Sequence, residues 1–359
     1  MNILITGIHG FVGTNLVDAL ASEHTIYGLD IVAPEKKGVA KTFSWEDMDN
    51  NRLPEIDAII HLAGKAHDTK NEAAAEVYFQ VNTELTKKVY DYFLAKKVAK
   101  FIFFSTVKSA ADRVEGEFLT EDIVPKPVGP YGESKIAAES YILANMPEAV
   151  ESGKLKVESG IEEVENERLK VEGLASNCLG ANFVSTLNLQ PSTFNTQRVY
   201  IFRPCMIHGP HNKGNLNLLY QVVRRGIPWP LGAFENRRSF CSVDNLSFVV
   251  GQFLSRSVES GIYHIADDES LSTNELIETM CEAMGRKAHI WRLSKGLMER
   301  VAHIGTILRL PLNKERLQKL TENYVVSNAK LKKALGIAKL PIGAKEGLSK
   351  TILSFQKEK

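Results

Sequence analysis

Residues Asn2–Gly13 read NILITGIHGFVG. A short apolar run ends in a glycine cluster. Beyond it, Phe11 to Ala21 carries helical spacing at Leu16, Ala19 and Leu20. Such a run reads as a fully buried parallel strand that turns sharply into a helix. Gly7, Gly10 and Gly13 form G-x-x-G-x-x-G at that turn, with Phe11 and Val12 inside it. Gly7 permits the tight turn. Gly10 lets the backbone approach a pyrophosphate, and Gly13 lets the helix pack close to the strand. Phosphates placed there meet free amides and the positive end of the helix.

The rhythm continues outward from this turn. Thr25 to Leu29, Ala58 to Leu62, Phe101 to Phe104, Arg198 to Phe202 and Tyr263 to Ile265 read as further strands. Glu84 to Ala95 and Tyr131 to Asn145 read as helices between them. Strands alternating with helices predict an α/β fold: a Rossmann-type doubly wound parallel sheet with helices on both faces. After Pro204 the pattern loosens, with helices at Thr273 to Met284 and Lys314 to Gly336. The expected division is a dinucleotide-binding domain over 1–203 and a smaller C-terminal α/β substrate domain over 204–359, with about 240–266 returning to the first.

Residues 147–197 break the rhythm. A connection there normally takes a handful of residues. KLKVE at Lys154 returns as RLKVE at Arg168, and STLNLQ at Ser185 resembles STFNTQ at Ser192. Two abutting low-complexity repeats predict an insertion, either a solvated excursion or a partner-docking arm. Replacing Glu151 to Thr196 by a short link is expected to leave the chemistry intact.

The composition excludes several classes. The 359 residues carry 44 Lys and Arg against 43 Asp and Glu, a net charge of +1. That argues against a nucleic-acid partner held by bulk charge. The longest apolar candidate, Gly296 to Leu312, is interrupted by Glu299, Arg300 and Arg309, so no membrane partner is expected from a span. The start of the chain has neither a basic segment nor a cleavage site. Cys178, Cys205, Cys241 and Cys281 lie far apart without a CxxC, so no metal is expected and a reducing cytoplasm is the default compartment.

Asp30 ends the second strand, 17 residues after Gly13 and just before Ile31. A carboxylate there accepts hydrogen bonds from ribose hydroxyls and repels a 2′-phosphate, which favours NAD over NADP. A strand-end cap is the alternative. Leu62, Ala63 and Gly64 are small enough for a cofactor to pass the third strand's end. Tyr131 and Lys135 form Y-x-x-x-K, which puts both side chains on one helix face. A nearby ammonium favours the phenolate, and such a tyrosine can exchange a proton with a sugar hydroxyl while hydride moves. The spacing alone also arises by chance. Here it follows FIFFST, whose Ser105 and Thr106 end a buried strand. Strand C-termini are where open α/β sheets bind ligands, so both hydroxyls are expected in the crevice.

Taken together, TGIHGFVG, Leu29–Asp30, HLAG at His61, VNTELT around Asn82, FFST and YGESK resemble the extended short-chain dehydrogenase/reductase superfamily. Within it the chain resembles the NAD-dependent nucleotide-sugar epimerase/dehydratase family, and RPCMIHGP, NRRSFCSVDNL, SNAKLKKALG and EGLSKTI extend the likeness. The resemblance implies that Tyr131 is the acid/base and that Lys135 binds the nicotinamide ribose and lowers the tyrosine pKa. It puts Thr106 at the catalytic hydroxyl position, with Ser105 before it. Asn82 lies near the cofactor, where a helix-start cap is the alternative. Arg238 grips the substrate diphosphate, with Arg237 able to share, unless it is a surface charge. Asn215 and Leu216 lie over the nucleotide. The segment Leu293 to Leu312 is expected to cover the sugar.

The family's Asp-Glu pair for dehydration is replaced by Val107 and Lys108, which argues against water elimination. Met206 stands where many epimerases have asparagine. STVK and the stretch from KGNL through NRRS resemble a narrower group acting on UDP-linked hexosamines, as 4-epimerases or 4-keto reductases, in surface-polysaccharide pathways. A homodimer pairing the helices of Asn82 and Tyr131 is implied. A non-catalytic dinucleotide sensor would need neither Tyr131 nor Lys135.

Overall fold

The computed structural model describes residues 1–65, 74–147, 197–212, 214–307 and 313–357. The expectations for the insertion therefore fall almost wholly outside the described residues. Seven strands form one parallel sheet in the order β3-β2-β1-β4-β5-β6-β9. These are β1 (Asn2–Thr6), β2 (Thr25–Leu29), β3 (Lys41–Phe43), β4 (Ala58–His61), β5 (Lys100–Phe104), β6 (Arg198–Pro204) and β9 (Gly261–Ile265). A short parallel pair, β7 (Met206–His208) and β8 (Phe240–Ser242), lies outside it. The order reverses beside β1, which pairs with β2 on one side and β4 on the other. That switch point is where such sheets open a crevice at the strand ends.

The strand pleat explains why the runs are apolar throughout. Successive side chains point to opposite faces, and both faces are covered. Ile3 and Ile5 of β1 and Ile102 and Phe104 of β5 enter one core with Leu16, Val17 and Phe253. Leu4, Phe101 and Phe103 enter the other with Val89, Phe93 and Ala138. A further core of residues beyond Pro204 joins Leu216, Tyr220, Ile277, Met280 and Ile352. Met1–Met146 and Gln197–Lys359 form one compact unit.

Three features depart from the sequence reading. Strand β3 has only three residues and no apolar run, yet it completes the edge beside β2. The helices Asn215–Arg224, Val243–Ser255, Lys295–Ile307 and Ala344–Lys357 were hidden where periodicity weakened. The long helix expected from Lys314 to Gly336 is instead two, Lys314–Thr321 and Ala329–Leu335. Between them Tyr324 donates its N–H to Arg237 (2.8 Å), and Val325 accepts from Leu119 (2.8 Å). Tertiary backbone pairing of this kind, in a stretch that includes the β-branched Val325 and Val326, overrides a weak helical propensity.

Candidate active site

The end of β1 is shaped by glycine. Gly7 has φ +67°, and a Cβ there would lie 2.9 Å from the backbone nitrogen of Ala63. A Cβ at Gly13 would lie 2.8 Å from Gly7 O and from Ile8 Cα. The turn after β1, the helix Phe11–Leu20 and the turn after β4 thus meet at a distance only glycine allows. Gly10 caps that helix without a side-chain hydrogen bond, which leaves its N-terminus open to a ligand. Asp30 accepts from the His9 amide at 3.2 Å, so its carboxylate stands at the rim of the same turn. Ile31 beside it is 85% exposed.

The turn after β4 is held by a buried relay. Thr6 Oγ1 accepts from the amides of Leu62 (3.1 Å) and Ala63 (3.0 Å) and donates to His61 Nδ1 (2.7 Å). Thr86 Oγ1 donates to Asn82 O (2.7 Å), so at 2.9 Å it accepts from His61 Nε2. These directions assign the proton of a neutral His61 to Nε2. Burial, then the charge of Lys135, pushes His61 down to about 3. Asn82 is fully buried in a π-helical segment, Phe79–Glu84. It accepts from the Lys65 amide (2.8 Å) and donates to Lys65 O (3.2 Å) and Ser134 Oγ (3.0 Å). It is therefore no helix cap. It ties the Gly64 turn to the helix Gly129–Ala144, and single π turns of this kind recur at functional sites.

That helix carries Tyr131 and Lys135. Its close seat against the short helix Val107–Ala110 requires Gly132, whose Cβ would lie 2.7 Å from Lys108 O. The seat brings the Tyr131 side chain into a hydrogen bond with the Thr106 side chain. Lys135 Nζ donates to Phe104 O at 2.8 Å. Burial lowers the Lys135 pKa to about 8, against the opposing pull of Glu139. A Cβ at Gly64 would lie 3.2 Å from Lys135 Nζ.

One cleft of about 420 Å³ gathers most of the expected residues. Gly7, Gly10, Phe11, Val12, Gly13, Leu62, Gly64, Ser105, Thr106, Tyr131 and Lys135 line it. Lys65, Cys205 and Ile207 line it too and were missed. The signal for Lys65 was its place directly after HLAG, and its ammonium sits 5.6 Å from the Tyr78 ring centre. Ala63, Asp30, Ile31 and Asn82 flank rather than line the cleft.

Two expectations are corrected. The Ser105 hydroxyl does not serve the crevice: it donates to buried Glu139, with Ser109 Oγ 3.3 Å away. The carboxylate behind the strand is the stronger acceptor, so it wins the hydroxyl. Burial raises the Tyr131 pKa, the Thr106 hydrogen bond opposes the rise, and the Lys135 ammonium is engaged by Phe104 O. Leu216 is a core residue, 3% exposed among Tyr220 and Ile277, and does not present its side chain to a nucleotide. The side chain of Asn215 lies outside the described residues. Arg238 stands away from the cleft lining, 3.4 Å from Glu322 Oε1, with its buried Nε without a partner. Arg237 contacts Glu275 at 3.3 Å.

The two buried histidines give a pH prediction. His61 and His264 are each pushed from 6.5 to about 3, by burial first and then by Lys135 and Arg203 respectively. The folded chain therefore binds fewer protons than the unfolded chain between those values. Their stabilising contribution is present above the unfolded pKa and is lost as pH falls below it. Each costs about 1.4 kcal/mol per unit of acidification. Urea unfolding from pH 7 to 5 should show a midpoint that falls on acidification. A flat profile would mean that both imidazoles are solvated.

Residues 3–150 match the NAD dependent epimerase/dehydratase family. UDP-glucose 4-epimerase of Vibrio cholerae is 26% identical over 313 residues, 81% of this chain and 78% of that protein. GDP-6-deoxy-D-mannose reductase of Pseudomonas aeruginosa is 30% identical over 144 residues, 39% of this chain and 46% of that protein. The structure of UDP-glucuronic acid 4-epimerase from Bacillus cereus in complex with NAD superposes with a TM-score of 0.66 at 18% identity, covering 100% of both chains. The full-length agreement with that structure confirms the fold. The residues that build the glycine turn, the Asn82 relay and the Tyr131 helix all lie within the 3–150 stretch that matches the NAD dependent epimerase/dehydratase family.

Proposed function

We propose that the chain is an NAD-dependent 4-epimerase of a UDP-linked hexose or N-acetylhexosamine, working as a homodimer through the helical stretch of Asn82, Phe79–Glu84 continued by Leu85–Ala95, and the Tyr131 helix Gly129–Ala144. The observation that carries this reading is the Tyr131–Thr106 hydrogen bond beside Lys135, at the mouth of the glycine turn. The residues present fit NAD. A Cβ at Gly7, Gly10 or Gly13 would stand 2.8–3.1 Å from backbone atoms, and the turn opens on a helix N-terminus that takes a pyrophosphate. Asp30 would hold the adenosine ribose, and Lys135 the nicotinamide ribose.

Bound there, NAD would supply the hydride acceptor and donor for C4 of the sugar. Tyr131 receives the C4 hydroxyl proton and gives it back. Thr106 hydrogen-bonds the phenol and can share the reacting oxygen. Tyr131 accepts that proton as the phenolate, which the Lys135 ammonium would favour. Arg238 is the proposed diphosphate contact, since its buried Nε keeps a donor in reserve.

A second reading is a 4-keto reductase using the same groups in one direction, and the likeness to the Pseudomonas reductase favours it. Nucleotide released from denatured protein separates the two. Near-stoichiometric NAD, with turnover of UDP-hexoses, supports the epimerase. Nucleotide-free protein that oxidises NADH only with a 4-keto sugar nucleotide supports the reductase. No turnover with either panel overturns both, and sedimentation as a single 39.9 kDa species would overturn the dimer.

A further inference from the structure

The helix Lys295–Ile307 is apolar on both sides. Its inner side is accounted for: Met298 and Ala302 pack with Leu231 and Leu317 in a small core of their own. Its outer side is not. Leu297, Val301 and Ile304 recur at i, i+4 and i+7 on one helix face, and they are 48%, 42% and 52% exposed. Ile307, at the helix end, is 68% exposed. Trp291, four residues before the helix, is 56% exposed. This face does not line the cleft described above.

The charge around it is as uneven as the hydropathy. Residues 286–321 hold nine Lys and Arg against two Glu, in a chain that carries 44 against 43 overall. Arg286, Lys287, Arg292, Lys295, Arg300, Lys314, Arg316 and Lys319 are all exposed. Arg300 follows Leu297 by three residues and precedes Ile304 by four, so a cation borders the apolar stripe directly.

We propose that this helix lies on an anionic lipid surface, with Leu297, Val301 and Ile304 in the interface and the surrounding cations against headgroups. A nucleotide sugar offers no counterpart for a row of aliphatic side chains. An anionic bilayer matches both halves of the surface at once: the stripe gains by leaving water, and each nearby Lys or Arg adds its own attraction to the headgroups. An exposed tryptophan suits the same boundary. No helix among the described residues is long and apolar enough to cross a membrane. Lying on a surface is a different requirement, so the expectation of no membrane partner, drawn from spanning length, does not reach this helix. The surface is also tied to the cleft. Three residues after the helix Lys314–Thr321, Tyr324 donates its hydroxyl to Ala111 O at 2.7 Å, at the end of the short helix that Thr106 caps.

The test is flotation of the full chain with vesicles of phosphatidylcholine alone and of phosphatidylcholine with phosphatidylglycerol. The expected result is binding to the anionic vesicles only, weakened by salt, with a blue shift in tryptophan emission that Trp291→Phe removes. Leu297→Glu with Ile304→Glu should lower the partition coefficient at least about tenfold, with bound NAD and oligomeric state unchanged. Should that variant misfold, Arg292→Glu with Arg300→Glu tests the electrostatic half on exposed side chains. Absence of binding to anionic vesicles overturns the proposal, as does binding that neither variant weakens. A variant that instead splits an oligomer overturns it in favour of a second copy of the chain.

Discussion

Tyr131→Phe should lower turnover by about 10²–10⁴-fold, the range for losing a positioned general acid/base, while bound NAD stays near the parental level. The substitution removes one oxygen from a ring that packs edge-on to Tyr78, with centroids 6.4 Å apart. The ring contact survives, so the helix Gly129–Ala144 keeps its seat. What is lost is the proton carrier, and Thr106 loses its phenol partner. Nothing else described in the cleft replaces it. Ser105 is committed to Glu139, and Lys135 to Phe104 O. Lys135 sets the alkaline limit. Its pKa is lowered to about 8, so its ammonium is present below that value and lost as pH rises through it. NAD affinity should therefore weaken above that pH in parent and variant alike, whereas only the parent turns over. The measurement is turnover on UDP-sugars beside NAD released per chain. A variant that keeps parental turnover would place the acid/base elsewhere. One that also empties of NAD would make Tyr131 a cofactor anchor first.

The parts legible in the sequence share one property: their chemistry is local. The Gly7 turn, the Tyr131–Lys135 spacing and the continuous apolar runs of β1 and β5 each declare themselves within a dozen residues. The parallel sheet followed, because strands alternating with helices form βαβ units. What stayed hidden depends on distant partners. The Ser105 hydroxyl turns away from the crevice because Glu139, on another element, takes it. The break between Thr321 and Ala329 exists because Arg237 and Leu119 offer backbone partners. Glu139 itself was within reach: it extends Tyr131 and Lys135 by a further four residues on the same helix face. A carboxylate on a face that must be buried needs a cation, and the only clue to that cation was Arg203 in the R-P step of β6.

Glu139→Ala should destabilise the fold by about 3–5 kcal/mol, the usual consequence of leaving one half of a buried ion pair alone. That is a large share of the roughly 5–15 kcal/mol that holds a typical domain together. Glu139 and Arg203 are 0% and 1% exposed. Arg203 Nε meets both carboxylate oxygens at 3.1 Å and Nη2 meets one at 2.5 Å. Ser109 donates to the same carboxylate at 2.6 Å, as does Ser105. Alanine strands a buried guanidinium and removes the acceptor of two buried hydroxyls together, so the loss exceeds that of one hydrogen bond. Glu139→Met with Arg203→Leu removes both charges and should recover much of the stability, which a purely steric role for Glu139 would not allow. Urea midpoints compare the three proteins, and a single-variant loss below about 1 kcal/mol would show the pair to be solvated. The site supplies a second reading. Glu139 lies one turn beyond Lys135 and holds its pKa up against burial. Its removal should move the alkaline fall in NAD affinity below pH 8, a shift that loss of packing alone would not produce.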